Sequence, residues 1–205
     1  MISRRLMLSL PALALPALAL PGRAYAADAN ERSIGRDDAK VVVQEWFSLT
    51  CPHCAHFALN FLPQIKTDLI DTGRVKLIFR DFPLDRVALS AAQVAHTLPA
   101  DRYLGFIDAL LASQDRWAFA RGVDNIAEIA KTAALAGMNR AAVDAAIANE
   151  SLKAEILAGQ EKAVSAYKVD STPSFVFNGP SATNRVQAGA LSPEQFAAAV
   201  VQAGG

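Results

Sequence analysis

The chain has 205 residues, of which 52% are hydrophobic and 20% are charged, and its 20 basic and 20 acidic side chains give a formal net charge of zero. This balance provides no basic surface for nucleic acid or for an anionic membrane, so neither is expected as a partner. The length suits one domain with its own hydrophobic core and room for an insertion.

The first 26 residues have the three-part layout of a bacterial export signal. Ser3-Arg4-Arg5 gives a positive start, residues 6–20 are uncharged and apolar, and Ala24-Tyr25-Ala26 has the small-x-small form of a cleavage site. The apolar run of 15 residues is shorter than the roughly 20 that a helix needs to cross a bilayer, which disfavours an uncleaved membrane anchor. We expect cleavage after Ala26 and export to the periplasm, by the general secretory (Sec) route or, given the paired arginines, by the twin-arginine route.

Removal of this signal takes away three arginines and no acid, so the remaining 179 residues carry a net charge of about −3. Beyond the signal no apolar run is long enough for a membrane helix. The sequence therefore predicts a mature protein, residues 27–205, without a membrane span and in a compartment where disulfides persist.

A strand, a helix and a second strand follow one another early in the mature chain. Residues 40–47 (KVVVQEWF) are apolar nearly throughout, which is typical of a buried strand. Residues 54–62 have helical composition, and Pro63 is expected to kink or end this helix. Residues 75–79 (VKLIF) form the second predicted strand. A βαβ unit of this length predicts that the two strands are parallel.

Residues 85–159 differ in character, because alanine is abundant and apolar residues recur at helical spacing. Asp124 and Asn139 stand where N-caps belong, and the last long helix is predicted at about residues 151–167. We interpret this region as an inserted unit of several short helices. The alanine indicates close helix packing, and nothing in the pattern indicates a cofactor.

After these helices the sheet resumes. Residues 172–177 (TPSFVF) form a predicted strand, Asn178-Gly179 a turn, and residues 184–188 the hairpin partner. Ser192 and Gln195 have the spacing of a capping box at the start of a final helix. The order of elements is βαβ, a helical block and then ββα, which makes this an α/β protein.

The only two cysteines, Cys51 and Cys54, lie in the sequence CPHC directly after the first predicted strand. As a structural staple, a disulfide here would close a four-residue ring that contributes only roughly 2 kcal/mol. As metal ligands, the cysteines lack suitable partners, because on a helix His53 and His56 fall roughly 140–200° from Cys51. No second CxxC completes a tetrahedral site. Both alternatives stay open, and both are disfavoured.

Thiol–disulfide exchange suits the position of the pair better. Cys51 stands where a helix begins, and the unpaired N–H groups and dipole at a helix start stabilise a thiolate. We expect Cys51 to be the exposed nucleophile with a low pKa. Cys54 lies one turn further along and faces the core, so it is expected to resolve the mixed disulfide.

Three stretches together resemble a known family. They are Glu45-Trp46-Phe47-Ser48, the CPHC sequence at residues 51–54 to which it leads, and Thr172-Pro173 before the later strand. With the helical insertion and the export signal, the chain resembles the DsbA-type periplasmic thiol:disulfide oxidoreductases over about residues 36–203. The resemblance implies a thioredoxin-like fold with an inserted helical subdomain. The implied parts are the thioredoxin-like domain at residues 27–84 and 160–205, and the insertion at residues 85–159.

The resemblance also implies how the CPHC sequence works. All four residues, Pro52 included, would belong to the catalytic site, and the Cys51–Cys54 disulfide would be the redox group, with no cofactor and no metal. His53 would stabilise the Cys51 thiolate, which favours the reduced form and makes the disulfide more oxidising. The alternative for His53 is an ordinary solvated histidine.

Three further residues receive roles from the same resemblance. Pro173 would match the family's cis-proline, and with Thr172 it would pair with an extended substrate; the alternative is a trans proline at the start of an edge strand. Glu45, an acid within an apolar strand, would be a buried proton relay, since burial raises the pKa of a carboxyl group. The alternative for Glu45 is an acid that reaches water at a strand end.

The leading functional hypothesis is an exported, monomeric dithiol oxidase that introduces disulfides into reduced, unfolded exported proteins. The family implies reoxidation by a quinone-linked membrane oxidase of the DsbB type. A disulfide isomerase or reductase is the nearest alternative, although the short segment at residues 27–39 leaves no room for an N-terminal dimerisation domain. A redox-inactive peptide-binding holdase and a glutathione-linked enzyme on a related fold are further alternatives, and the intact CPHC sequence disfavours the last.

Overall fold

The structure is a computed structural model that describes residues 31–205. The predicted export signal at residues 1–26 lies outside this range. Within it, none of the helices combines the length and the apolar character that crossing a membrane requires.

Five strands form one mixed sheet in the order β1-β3-β2-β4-β5. β2 and β3 are parallel, as the βαβ pattern predicts, and the other three pairings are antiparallel. The central position of β2 places its carboxyl end, where the CPHC sequence follows, in the middle of the sheet. The strands are β1 (Arg32–Ile34), β2 (Val41–Phe47), β3 (Val75–Asp81), β4 (Ser174–Gly179) and β5 (Ala182–Ala188).

The sequence does not predict β1. Three residues show no alternation long enough to indicate a strand, and the extended conformation is fixed by pairing with β3, where Arg32 lies opposite Phe79. The Arg32 side chain also donates two hydrogen bonds of 2.9 Å, to the carbonyls of His96 and Leu98. Contacts distant in sequence therefore define this edge of the sheet.

The predicted turn at Asn178-Gly179 is wrong, because β4 continues through both residues and the turn lies at Pro180-Ser181. Asn178 bridges the hairpin instead, since its Oδ1 accepts a hydrogen bond of 2.8 Å from the backbone N–H of Asn184. Gly179 is needed for close packing, because a Cβ there would lie 2.4 Å from the carbonyl oxygen of Ala203.

The helix after β2 does not end at Pro63. Two α-helical segments alternate with two π-helical turns, and the helical conformation continues to Ile70. In the first π-turn the N–H of Leu62 bonds to the carbonyl of Phe57, five residues back, so the hydrogen-bond register shifts just before Pro63, which has no N–H to offer. The segments are α1 (Pro52–His56), the turn Phe57–Phe61, α2 (Leu62–Ile65) and the turn Lys66–Ile70.

The inserted region is helical, as predicted. Asp124 and Asn139 are N-caps whose side chains accept hydrogen bonds from backbone N–H groups three residues on. The boundary predicted between residues 159 and 160 falls inside α8, so the division into two units stays a prediction. The helices are α3 (Arg86–Thr97), α4 (Ala100–Leu111), α5 (Gln114–Trp117), α6 (Asn125–Leu135), α7 (Arg140–Ile147) and α8 (Glu150–Tyr167).

Side chains pack against both faces of the sheet. On one face, Phe175 and Phe177 of β4 pack with Phe57 and with Phe196 of the last helix, α9 (Pro193–Gln202), at ring-centroid distances of 4.7 to 6.4 Å. That helix begins with the predicted capping box of Ser192 and Gln195. A smaller cluster lies on the other face and contains Trp46, Phe82, Ala163, Val169 and Val176. The predicted thioredoxin-like architecture is confirmed.

Candidate active site

The CPHC sequence begins at the start of α1. Cys51 has an extended backbone (φ −90°, ψ 118°) and occupies the N-cap position, and Pro52 is the first helical residue. The carbonyl of Cys51 accepts the first hydrogen bond of the helix, 3.1 Å from the N–H of Ala55. The loop from β2 is tightly turned, because the N–H of Cys51 donates to the carbonyl of Ser48 at 3.1 Å. Proline at the first turn is favourable, since an N–H there would have no partner in the helix.

Cys51 is less exposed than the sequence predicts. Only 5% of its surface is accessible, because the Thr172 segment lies against it, with Sγ of Cys51 3.3 Å from the carbonyl oxygen of Thr172. The accessible surface of Cys51 is therefore small, and the exposed residues next to it in the chain are Pro52 and His53.

The pKa of Cys51 is lowered to about 5. The largest cause is a hydrogen bond from the Cys54 thiol, which burial opposes by disfavouring the charged form. The Thr172 side chain and the backbone N–H groups of Cys54 and His53 lower the pKa further. At neutral pH the sulfur of Cys51 is therefore a thiolate, the reactive form of cysteine.

Cys54 has the opposite electrostatic environment three residues later. It is completely buried, and burial, followed by the hydrogen bond and charge of Cys51, raises its pKa. Both cysteines are free thiols in the structure. Within one turn of helix, the first sulfur is ionised and the second holds its proton, as expected for a nucleophile and a resolving thiol.

Thr172 and Pro173 lie beside Cys51, and the peptide bond that joins them is cis. The carbonyl of Pro173 accepts a hydrogen bond of 2.8 Å from the N–H of Gly189, which fixes the segment to the end of β5. The Oγ1 of Thr172 is buried, and no residue among 31–205 bonds to it, so it is free to donate to the Cys51 thiolate.

Glu45 is only 3% exposed and does not reach water at the end of β2. It lies opposite Phe79 and Phe175 in the neighbouring strands, on the face of the sheet against which Phe57 packs. Burial, and to a smaller degree the negative charge of Asp108, raises its pKa to about 8. The charge of Glu45 in turn contributes to the raised pKa of Cys54, so the two groups are electrostatically coupled.

The histidines weighed as metal ligands do not gather around the cysteines. His53 is exposed, and His56 contacts Asn60 and packs edge-on against Phe61 at a centroid distance of 4.7 Å. In the part of the chain that the structure describes, no three His, Cys, Asp or Glu side chains are close enough to hold a metal ion.

Sequence reasoning misses the side chains of the insertion that reach the site. Gln114 donates to the carbonyls of Leu49 and Cys51, at 2.8 and 3.0 Å. Asp85, the N-cap of α3, accepts a hydrogen bond of 2.6 Å from the hydroxyl of Thr50. The capping pattern of α3 could have identified Asp85, but no local signal marks Gln114, which lies 63 residues after Cys51.

The sequence of the chain is similar to those of known thiol-exchange proteins. A sequence model described as thioredoxin matches residues 27–201. A protein of Rickettsia bellii named as a protein-disulfide oxidoreductase is 27% identical over 161 residues, which is 78% of this chain and 61% of that protein. The chain thus spans about three fifths of that relative. A protein of Bacillus anthracis named for disulfide bond formation (protein D) is 30% identical over 99 residues, 46% of each chain.

Among solved structures, alpha-DsbA1 of Wolbachia pipientis superposes with a TM-score of 0.77 at 27% sequence identity. The match covers 86% of this chain and 92% of that protein, so it includes both the sheet and the helical insertion. The chain therefore belongs to the thioredoxin family, and its fold is similar to that of the Wolbachia alpha-DsbA1 protein.

Proposed function

We propose that this protein is an exported dithiol oxidase that donates the Cys51–Cys54 disulfide to newly exported proteins. The observation that carries the proposal is the opposite ionisation of the two sulfurs, with a pKa of about 5 at Cys51 and a raised pKa at the buried Cys54. A stabilised thiolate favours the reduced form of the protein, and a disulfide whose reduced form is stabilised is a strong oxidant. The names of the Rickettsia and Bacillus relatives support the same class of reaction.

The reaction transfers two electrons from the substrate to the protein in two exchange steps. A substrate thiolate attacks Sγ of Cys51, the Cys51–Cys54 bond breaks, and Cys54 departs as a thiolate that takes up a proton. A second substrate thiolate then attacks the substrate sulfur of the mixed disulfide. Cys51 leaves as a thiolate, the substrate holds a new disulfide, and the protein is a dithiol.

The neighbouring residues have defined roles in this scheme. Glu45, with a pKa of about 8, is protonated at neutral pH and can supply the proton that Cys54 requires. Thr172 and Pro173 border the sulfur and provide backbone groups for an extended substrate segment. His53 acts through its backbone N–H and, as the resemblance implies, through its ring at the exposed helix start.

The remaining parts of the proposal concern setting and partners. The signal at residues 1–26 directs the protein to the periplasm, where its substrates are reduced, unfolded exported proteins. The protein acts as a monomer and is reoxidised by a quinone-linked membrane oxidase of the DsbB type. Substrates are recognised through a short backbone-led contact, which accepts many sequences.

Two linked measurements test the proposal. The pKa of Cys51 is obtained from the pH dependence of alkylation of the reduced protein, and the equilibrium constant is obtained against glutathione. We expect a midpoint near pH 5 and an equilibrium that lies strongly toward the reduced protein. An alkylation midpoint near 9, together with a potential as reducing as that of thioredoxin, would contradict the oxidase and favour a reductase. Rapid refolding of a scrambled substrate by the reduced form would favour an isomerase.

A further inference from the structure

Gln114 is the first residue of α5, and its surface is 7% exposed. Its Nε2 donates to two backbone carbonyls of the loop that precedes α1, 2.8 Å to that of Leu49 and 3.0 Å to that of Cys51. One amide group thus uses both of its donors on the loop that carries the nucleophilic sulfur. None of the roles assigned to the CPHC sequence or to the Thr172-Pro173 segment includes this contact.

We propose that Gln114 is a positioning residue for Cys51, through which the inserted helices hold the active-site turn in its reactive geometry. The inference deepens the proposed oxidase function and rests on it. It assigns to the insertion a part in setting the redox behaviour of the site, in addition to packing against the sheet.

The position of the Cys51 carbonyl affects the geometry of the whole active-site turn. It accepts the first hydrogen bond of α1 from Ala55, so its direction sets the direction in which the helix begins. The backbone N–H groups of His53 and Cys54 lie in the same turn and stabilise the thiolate. A small rotation of the turn weakens these bonds to the sulfur, because hydrogen-bond strength falls steeply with misalignment.

Helix α5, which carries Gln114, is fixed by hydrogen bonds to the neighbouring helices. Trp117, at the other end of α5, is 2% exposed, and its indole N–H donates to the carbonyl of Leu110 at 2.7 Å. The carbonyl of Trp117 accepts a bond of 2.6 Å from the side chain of Asn125. Helices α4 and α6 thus fix α5 from both sides, and the amide of Gln114 is directed at the loop by rigid elements.

The test replaces the amide with an apolar chain of similar length, Gln114→Met, which removes both donors. We expect the pKa of Cys51 to rise by about one unit, and the glutathione equilibrium to shift toward the disulfide form by up to about tenfold, since one pKa unit is a factor of ten. Both values are measured as for the unmodified protein, by pH-dependent alkylation and by redox titration.

Gln93 provides a matched control. It is also a buried glutamine of the insertion, 2% exposed, and its Nε2 lies 3.1 to 3.2 Å from the carbonyls of Ala146, Ile147 and Asn149. Gln93→Met removes donors from buried carbonyls in the same way but away from the cysteines. It should lower the free energy of unfolding while leaving the pKa of Cys51 and the glutathione equilibrium unchanged.

The inference is overturned if Gln114→Met lowers stability as Gln93→Met does but moves neither the pKa nor the equilibrium. If Gln114→Met does not fold, Gln114→Leu serves instead, because it also removes both donors and adds no charge near Cys51. It should shift the pKa of Cys51 in the same direction, and an unchanged pKa would again overturn the inference. The values for the unmodified protein test the oxidase function separately, so the two proposals can fail independently.

Discussion

Replacement of Glu45 by glutamine should remove a large pH dependence from the stability of the protein. The pKa of Glu45 is raised from its usual 4.5 to about 8, chiefly by burial. Between these two values the folded protein holds the proton and the unfolded chain has lost it. The free energy of unfolding therefore falls as the pH rises from 4.5 to about 8, and it is constant with respect to this group on either side.

The size of the effect follows from the same two numbers. The interval is roughly 3.5 pH units, and each unit corresponds to about 1.4 kcal/mol, so Glu45 destabilises the folded state at pH 8 by up to about 5 kcal/mol relative to pH 4. Glutamine has the same shape and no charge to desolvate. Its buried amide has a cost of its own, but that cost is independent of pH, so the pH dependence is the diagnostic quantity.

Urea unfolding of the reduced protein at pH values from 4 to 9 measures this dependence. The difference in unfolding free energy between Glu45→Gln and the unmodified protein should grow steadily in favour of the variant up to about pH 8. Asp108→Asn is a useful companion, since Asp108 is the smaller cause of the shift and its removal should recover only a minor part of the effect. A constant difference between Glu45→Gln and the unmodified protein across this range would refute the buried, neutral carboxyl.

Two other substitutions make further predictions. Asp81 lies 2.5 Å from Nε2 of His96. Burial alone would lower the pKa of His96, but the hydrogen bond to Asp81 and the charge of Asp81 together outweigh burial. The pKa of His96 is therefore raised above 6.5. The stability that this pair contributes is fully present below pH 6.5 and is lost as the pH rises through the raised pKa of His96. His96→Gln should therefore have a lower free energy of unfolding in urea than the unmodified protein, and this difference should shrink with rising pH. A difference that grows with pH would contradict the pairing. Cys54→Ser removes the resolving thiol, so Cys51 should attack oxidised glutathione, release one glutathione thiolate and accumulate as the mixed disulfide, detectable by mass. An adduct that is released by reduced glutathione no more slowly in the variant than in the unmodified protein would exclude Cys54 as the resolving group.

The parts of the site that the sequence predicts are those encoded over a few neighbouring residues. A buried strand that leads into CPHC places Cys51 at a helix start, and three residues of helix carry Cys54 toward the core. Local geometry is enough to distinguish the two sulfurs. The direction of the pKa shift at Cys51 follows from the position alone, although the largest contribution comes from the thiol of Cys54.

The features that the sequence misses depend on contacts between distant parts of the chain. The strand conformation of β1 depends on β3, and the low exposure of Cys51 depends on Thr172, 121 residues away. The helix does not end at Pro63 for a different reason, because the π-turn before it shifts the hydrogen-bond register where Pro63 has no N–H to donate. Local sequence patterns do not indicate which distant residues come into contact, such as β1 with β3 or Cys51 with Thr172.

The two sulfurs and Glu45 together explain why only Cys51 is negatively charged at neutral pH. Cys54 donates its proton toward Cys51, which stabilises the thiolate there and opposes ionisation of Cys54 itself. Glu45 beneath them also stays neutral, because a second buried negative charge would be desolvated and would be repelled by Asp108. Of these three acidic groups, Cys51 is the one that ionises at neutral pH, and in the proposed function it is the sulfur that meets the substrate. In the proposed function, this arrangement makes Cys51 the sulfur that forms the mixed disulfide and keeps Cys54 protonated once it has been released.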